Sequence, residues 1–151
     1  MRIVDISMNP KDINDLVVFQ IEKTNKIAKQ HGQRAFDQHG LGITIDQWVL
    51  LKIIQEQAPL SQRALADFSV RDPASITRTM DLLSKKGLIE RAPIPTSRRQ
   101  YEVKLSKEGE IFVKKNMELV KKLREQSVEG ISQEEQGMLI SLLQRIQKNL
   151  G

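Results

Sequence analysis

The residues most able to do chemistry lie on one face of a helix predicted between Asp72-Pro73 and Gly87. Asp can cap free backbone N–H groups, proline suits the first helical position, and glycine suits the end. The helical period puts the apolar residues on one side, where they should pack inward: Ile76, Met80 and Leu83. The opposite side carries Ala74 and Arg78 near its N-terminal end and Asp81 and Lys85 further along, and Ser75 and Thr77 flank it. Such a face suits the DNA major groove, because small residues allow close approach, hydroxyls bond to bases or phosphates, and arginine can bind guanine bidentately. The alternative is an ordinary solvated helix face.

Two runs after this helix predict a β-hairpin. Leu88–Ala92 forms the first strand, and Tyr101–Leu105 alternates apolar and polar residues as a half-buried strand does. Between them, Pro93–Arg99 is predicted as a projecting loop too long for a two-residue turn. The loop carries Ser97, Arg98 and Arg99, and its arginine pair could contact phosphates or enter a narrow minor groove. The alternative is that these charges only aid solubility.

A short helix capped by Ser61 supplies further candidate DNA contacts. Leu65 and Phe68 are predicted to face inward, while the first turn presents Gln62 and Arg63. Free N–H groups at a helix start assist phosphate binding, so both residues are candidate phosphate contacts. Arg71, in the turn that follows, completes the predicted DNA-binding set.

The charge distribution also favours a polyanionic partner such as DNA. The chain has 151 residues and a formal net charge of +5. The stretch from Ser61 to Leu105 holds nine bases and five acids, so it carries +4 of that excess. A polyanionic partner would explain the concentration of charge, although a solvated basic face would also produce it.

The sequence predicts that these residues are positioned by a mainly α-helical single domain, residues 1–151, with a small β-hairpin wing. A capping box at Thr44–Gln47 begins a helix that ends near Gln57. The order helix, helix, turn, helix, hairpin defines a winged helix-turn-helix head over residues 44–106. Flanking helices are predicted over residues 9–38, starting at Asn9-Pro10, and over 107–151, with Ser106 and Ser132 as caps.

The flanking helices are predicted to form a homodimer. The first helix is apolar nearly all round for two turns, which indicates burial on more than one side. In a chain this small, that suggests a second subunit. The predicted dimerisation residues are Ile13, Leu16, Val17, Leu139, Leu142, Leu143 and Ile146. A symmetric dimer would read a near-palindromic site with half-sites about one helical turn apart.

Several function classes lack support in the sequence. There is no cysteine, so disulfides and thiol switches are excluded. No nucleophile elbow, glycine-rich phosphate loop or metal-ligand spacing occurs, and His31 and His39 stand eight residues apart, so we expect neither an enzyme nor a metal or cofactor. No signal peptide or apolar run of about 20 residues is present, so we expect a cytoplasmic protein without a membrane partner.

The chain resembles the MarR family of bacterial transcriptional regulators over nearly its whole length. The resemblance is carried by Thr44–Leu51, Ser61–Ala66, Ile76–Arg78, Lys86–Arg91, Ser97–Arg99 and Val103–Ser106. It implies an obligate, triangular dimer with one winged head per subunit, usually a repressor. Ser97 departs from the family, where Asp is common and can hold an arginine, although Arg99 matches the arginine that reaches the minor groove. Arg63 replaces a residue that is often acidic.

The resemblance also implies a partner beyond DNA. Family members often release DNA when a small aromatic or phenolic ligand binds between the dimerisation region and the head. The candidate pocket residues here are Phe36, Trp48 and Leu51, which could instead be plain core. Two alternatives stay open: a regulator without a ligand, and a winged-helix protein-interaction module that does not read DNA.

Overall fold

Six α-helices and one three-stranded antiparallel sheet make up the part of the chain that the computed structural model describes, residues 12–151 without the Arg98 side chain. The predicted helix start at Asn9-Pro10 lies outside the described residues. The helices are α1 Val17–Gln38, α2 Ile45–Gln57, α3 Gln62–Ser69, α4 Pro73–Lys85, α5 Lys107–Ser127 and α6 Gln133–Leu150. The strands are β1 Leu60–Ser61, β2 Ile89–Ile94 and β3 Ser97–Leu105.

The first helix is not continuous, contrary to the sequence prediction. A 3-10 turn at Ile13–Asp15 precedes α1, and Leu16 between them is extended, with φ −85° and ψ 124°. The Asp12 side chain accepts the Asn14 backbone N–H and so stabilises a separate short turn. Competition of this kind between a polar side chain and the helical backbone ends the continuous helix.

The core lies in the head and extends to one end of α1. Thr44 caps α2 in the predicted capping box, and the buried residues of that helix are Trp48, Leu50, Leu51 and Ile54. Phe36 of α1 meets Trp48 edge to face, with ring centroids 6.1 Å apart. Such aromatic pairs stabilise a contact by more than the area they bury, so this pair holds the end of α1 against the head.

The α3–α4 pair has the predicted helix-turn-helix arrangement with one error. Leu65 is buried, but Phe68 is 60% exposed, so the prediction that Phe68 faces inward is wrong. In this eight-residue helix, Leu65 and Ala66 take the inward side and Phe68 lies off it. Val70 ends α3 in the left-handed region, with φ 54°, and allows the chain to turn into α4.

The wing is a tighter hairpin than predicted. Ile94 of β2 pairs with Ser97 of β3, so only two residues connect the strands and the predicted long loop at Pro93–Arg99 is wrong. The register shifts between Pro93 and Ile94, and this irregularity lets the strands continue past the proline. Ser97 and Arg99 therefore belong to β3. The sequence also did not predict β1, whose two residues pair with Val103 and Glu102.

The start of α5 is docked onto the turn between α4 and β2. The Ser106 N–H donates to the Leu88 carbonyl at 3.1 Å, and its hydroxyl donates to the Gly87 carbonyl at 2.5 Å. Gly87 has φ 76°, which glycine adopts without strain. A Cβ at Gly109 would collide with the Leu88 carbonyl oxygen, so this close approach requires glycine.

The predicted dimerisation residues all lie outside the core of the chain. Ile13, Leu16 and Val17 are exposed, as are Leu139 and Leu142, while Leu143 and Ile146 are half-buried. Helix α6 has no buried residue although it is rich in leucine and isoleucine. No helix within residues 12–151 is long and apolar enough to span a bilayer.

Candidate nucleic-acid interface

Helix α4 presents the face that its sequence pattern predicts. Ile76, Met80 and Leu83 are fully buried, which confirms the predicted inward side. Ala74, Thr77 and Arg78 are exposed, and Ser75 is half-buried. The Asp72 carboxylate accepts the backbone N–H groups of Ala74 at 3.0 Å and Ser75 at 3.3 Å. Since this carboxylate occupies the helix start, a phosphate would be repelled there, and base contacts are left to the side chains further along.

A cleft of about 510 Å³ separates α3, α4 and β3. It brings together five of the predicted contact residues: Gln62, Arg63, Thr77, Ser97 and Arg99. Arg63 and Arg99 are both exposed, and Asp67 is the one acidic residue lining this cleft. The Gln62 Oε1 atom is buried without a hydrogen-bond partner among the described residues. A cleft with basic side chains on both sides can hold a phosphate backbone.

The wing is fixed to α4 by an ion pair that the sequence analysis missed. Arg91 of β2 donates from Nη1 to Asp81 Oδ1 of α4 at 2.7 Å, and its guanidinium carbon lies 5.8 Å from the centre of the Tyr101 ring. Ile89 and Arg91 lie two residues apart and therefore share the inward face of the strand. A guanidinium on that face needs a partner, so the strand pattern indicates that Arg91 is paired. These contacts set the distance between α4 and the wing.

Arg71 is held away from the cleft by a second ion pair. Its Nη2 lies 3.0 Å from Asp46 Oδ1 at the start of α2, and Lys29 Nζ of α1 lies 3.0 Å from the same oxygen. Burial would raise the pKa of Asp46, but hydrogen bonds and charge interactions with Lys29 and Arg71 outweigh it and lower the pKa below 3.8. The three residues therefore connect α1, α2 and the turn between α3 and α4.

Residues 12–151 contain no group of three or more side chains suited to hold a metal ion. The ring nitrogen Nδ1 of His39 lies 2.9 Å from the Ala35 carbonyl, within its own helix end. With Arg63 and Arg99 exposed beside the cleft, the interface offers a shaped, basic surface for a polyanion.

The helices, turn and hairpin define a winged helix-turn-helix protein. Residues 43–101 match the model of the MarR family. It is similar to a MarR mutant from E. coli in complex with operator DNA, at 26% identity and a TM-score of 0.76, covering 84% of this chain and 90% of that one.

Two further structures agree. A probable transcriptional regulator from Pseudomonas aeruginosa is 28% identical, with a TM-score of 0.73, covering 89% of this chain and 99% of that one. A MarR-family regulator from Rhodococcus shares the fold at 23% identity, with a TM-score of 0.79, covering 90% and 95% of the two chains. These comparisons confirm the predicted fold class and the predicted resemblance to the MarR family.

Proposed function

We propose that this protein is a transcriptional regulator that binds a near-palindromic operator as a homodimer and represses transcription until a small aromatic effector releases it. The observation that carries the proposal is the position of the exposed α4 face beside a cleft with Arg63 and Arg99 on its sides. In this arrangement α4 enters the major groove, the sugar-phosphate backbone follows the cleft, and the wing reaches the minor groove. Ala74, Ser75, Thr77 and Arg78 are then the candidate base contacts.

The head supports direct DNA reading better than a protein-interaction role. A winged helix that only binds proteins does not need a small, hydroxyl-bearing face with an exposed arginine next to a basic cleft. The residues proposed to contact phosphate or the minor groove are Gln62, Arg63, Ser97, Arg98 and Arg99. Each phosphate contact should contribute to the salt dependence of binding.

Homodimer formation is supported by apolar surface that the described chain leaves uncovered. Val17 is 60% exposed on α1 and Leu139 is 52% exposed on α6. Both belong to apolar faces that water would contact in a monomer, and association buries such faces. A two-fold dimer through α1 and α6 would place two identical heads side by side and so select a near-palindromic site.

The test begins with selection of bound duplexes from a random DNA pool. We expect an inverted repeat with half-site centres about 34 Å apart, and an affinity that falls steeply between about 50 and 200 mM salt. Arg78→Ala should cost about 1–3 kcal/mol and relax preference at one base pair per half-site. Arg99→Ala should weaken binding on all sequences without changing the dimer in sedimentation.

The matched control is Arg34→Ala, which removes the same charge from an exposed position on α1. It should leave DNA affinity nearly unchanged. No binding to any duplex at about 50 mM salt would overturn the DNA-reading proposal. A monomer in sedimentation would overturn the dimer while leaving the head assignment intact.

Effector binding is supported by a cavity of about 430 Å³ between α1, α2 and α5. Phe36 and Trp48 line it with Met117, Val120 and Leu123, whereas Leu51 is fully buried and does not line it. Lys52 and Arg124 also line the cavity, together with Glu56, which lies 3.9 Å from Lys52. Two bases against one acid would favour an anionic substituent. Its size and mostly apolar walls suit a small aromatic molecule.

Trp48 is the only tryptophan of the chain, so its fluorescence reports on this cavity directly. We expect benzoate to quench it saturably and to lower operator affinity, with Lys52→Ala weakening both effects together. Quenching by phenol alone would favour a neutral effector. No response to either compound would remove the aromatic-effector proposal and leave DNA binding untouched.

A further inference from the structure

The Thr77 side chain on the exposed face of α4 has its hydroxyl group already engaged. Thr77 Oγ1 donates to the Pro73 carbonyl oxygen at 3.0 Å, one helical turn earlier. Threonine in helices commonly makes this bond to the i−4 carbonyl. The hydroxyl hydrogen is therefore not available to a base or phosphate unless this bond breaks.

Two parts of the Thr77 side chain remain for recognition: the γ-methyl group, and the hydroxyl oxygen, which can now only accept a hydrogen bond. Its γ-methyl group lies on an exposed residue, and exposed Ala74 precedes it by three positions on the same side of the helix. Two methyl groups next to each other form a small apolar patch within an otherwise polar face. In the major groove, thymine is the base that presents a methyl group, and threonine and alanine methyls contact it favourably.

We infer that Thr77 is a specificity-determining residue that recognises a thymine through its γ-methyl group and not through its hydroxyl. This inference rests on the proposed entry of α4 into the major groove. Arg78, the next residue, is exposed and suited to guanine. Thr77 thus adds a thymine preference close to the guanine preference of Arg78 in each half-site.

The experiment replaces thymines of the pool-selected duplex one at a time by deoxyuridine, which removes only the C5 methyl group. For the wild type, one thymine per half-site should show a roughly fourfold loss of affinity, or about fifteenfold when both half-sites are changed, from one lost methyl contact each. Thr77→Val keeps a methyl group and should bind and discriminate as the wild type does.

Thr77→Ser keeps the hydroxyl and loses the methyl group. It should bind the thymine duplex about as weakly as the wild type binds the uracil duplex, with no further loss on uracil. The control is Thr79→Ser, a half-buried threonine of the same helix, which should retain the wild-type uracil sensitivity. Circular dichroism of each variant checks that the helical fold is retained.

The opposite pattern overturns the inference. If Thr77→Val loses affinity and Thr77→Ser retains it, the hydroxyl makes the contact. If uracil has no effect at any position, or the same effect in Thr77→Ser as in the wild type, Thr77 does not read a methyl group. If the pool yields no preferred sequence at all, the proposed function itself fails, and that outcome is distinct from the others.

Discussion

Replacement of Arg71 by alanine tests whether this residue holds the head in place or binds the DNA backbone. The sequence predicts Arg71 as a DNA contact, whereas its ion pair with Asp46 offers a second role. Its guanidinium lies 3.0 Å from Asp46, and Asp46 also keeps Lys29 at 3.0 Å, so the variant removes one of two partners of the carboxylate. The ion pair favours a positioning role.

The expected magnitudes follow from this geometry. The Arg71 and Asp46 side chains are 27% and 41% exposed, so their pair should contribute at most about 1 kcal/mol to the free energy of unfolding. A phosphate contact would add about 0.9 to the slope of log affinity against log salt, or about 1.8 for two protomers. We expect Arg71→Ala to lower affinity at every salt concentration and to leave that slope unchanged.

The assay is fluorescence anisotropy with the selected duplex at several salt concentrations between about 50 and 200 mM. Arg63→Ala is the comparison, because Arg63 is exposed in the cleft and should reduce the slope by about 1.8 in the dimer. If Arg71→Ala reduces the slope as much as Arg63→Ala does, Arg71 binds phosphate in the complex and the positioning argument fails.

Three further predictions concern stability. Gly109→Ala should destabilise the fold by more than about 1 kcal/mol in urea unfolding, because the new Cβ meets the Leu88 carbonyl, whereas Gly137→Ala has open space and should not destabilise. Val70→Gly should raise the free energy of unfolding by up to about 1 kcal/mol, since a β-branched residue is strained at φ 54° and the exposed side chain loses no packing; a lower urea midpoint would contradict this. Because the pKa of Asp46 is lowered on folding, its ion pairs stabilise the fold above pH 3.8 and lose that effect as pH falls below it. The difference in the free energy of unfolding between wild type and Asp46→Asn should therefore close in acid. A difference that stays constant with pH would refute this.

Local signals in the sequence predicted most of the helices. The capping boxes at Thr44 and Ser132 mark the starts of α2 and α6 because a cap involves residues only three apart. The buried side of α4 was equally predictable, since Ile76, Met80 and Leu83 repeat at the helical period.

Contacts between distant residues were not predictable in this way. The pairing of Leu60 with Val103 defines β1, and two residues carry no strand pattern of their own. The ion pairs of Arg71 with Asp46 and of Arg91 with Asp81 depend on how separate elements pack. The strand pattern could indicate that Arg91 needs a partner, but no spacing along the chain identifies Asp81 as that partner. The wing was misjudged because Pro93 indicated a loop, whereas the register shift beside it keeps both strands paired.

The docked start of α5 has a mechanical consequence. Backbone contact at Gly109 and the two Ser106 hydrogen bonds leave no room for a hinge between the head and the first turn of α5. The head and the first turn of α5 must therefore rotate together as one rigid unit. In a dimer of two such chains, bending along α5 or sliding at the dimer contacts could then change the spacing between the two α4 helices. A molecule bound beside α5 would therefore act close to the point about which the head rotates, where a small displacement produces a larger one at the DNA.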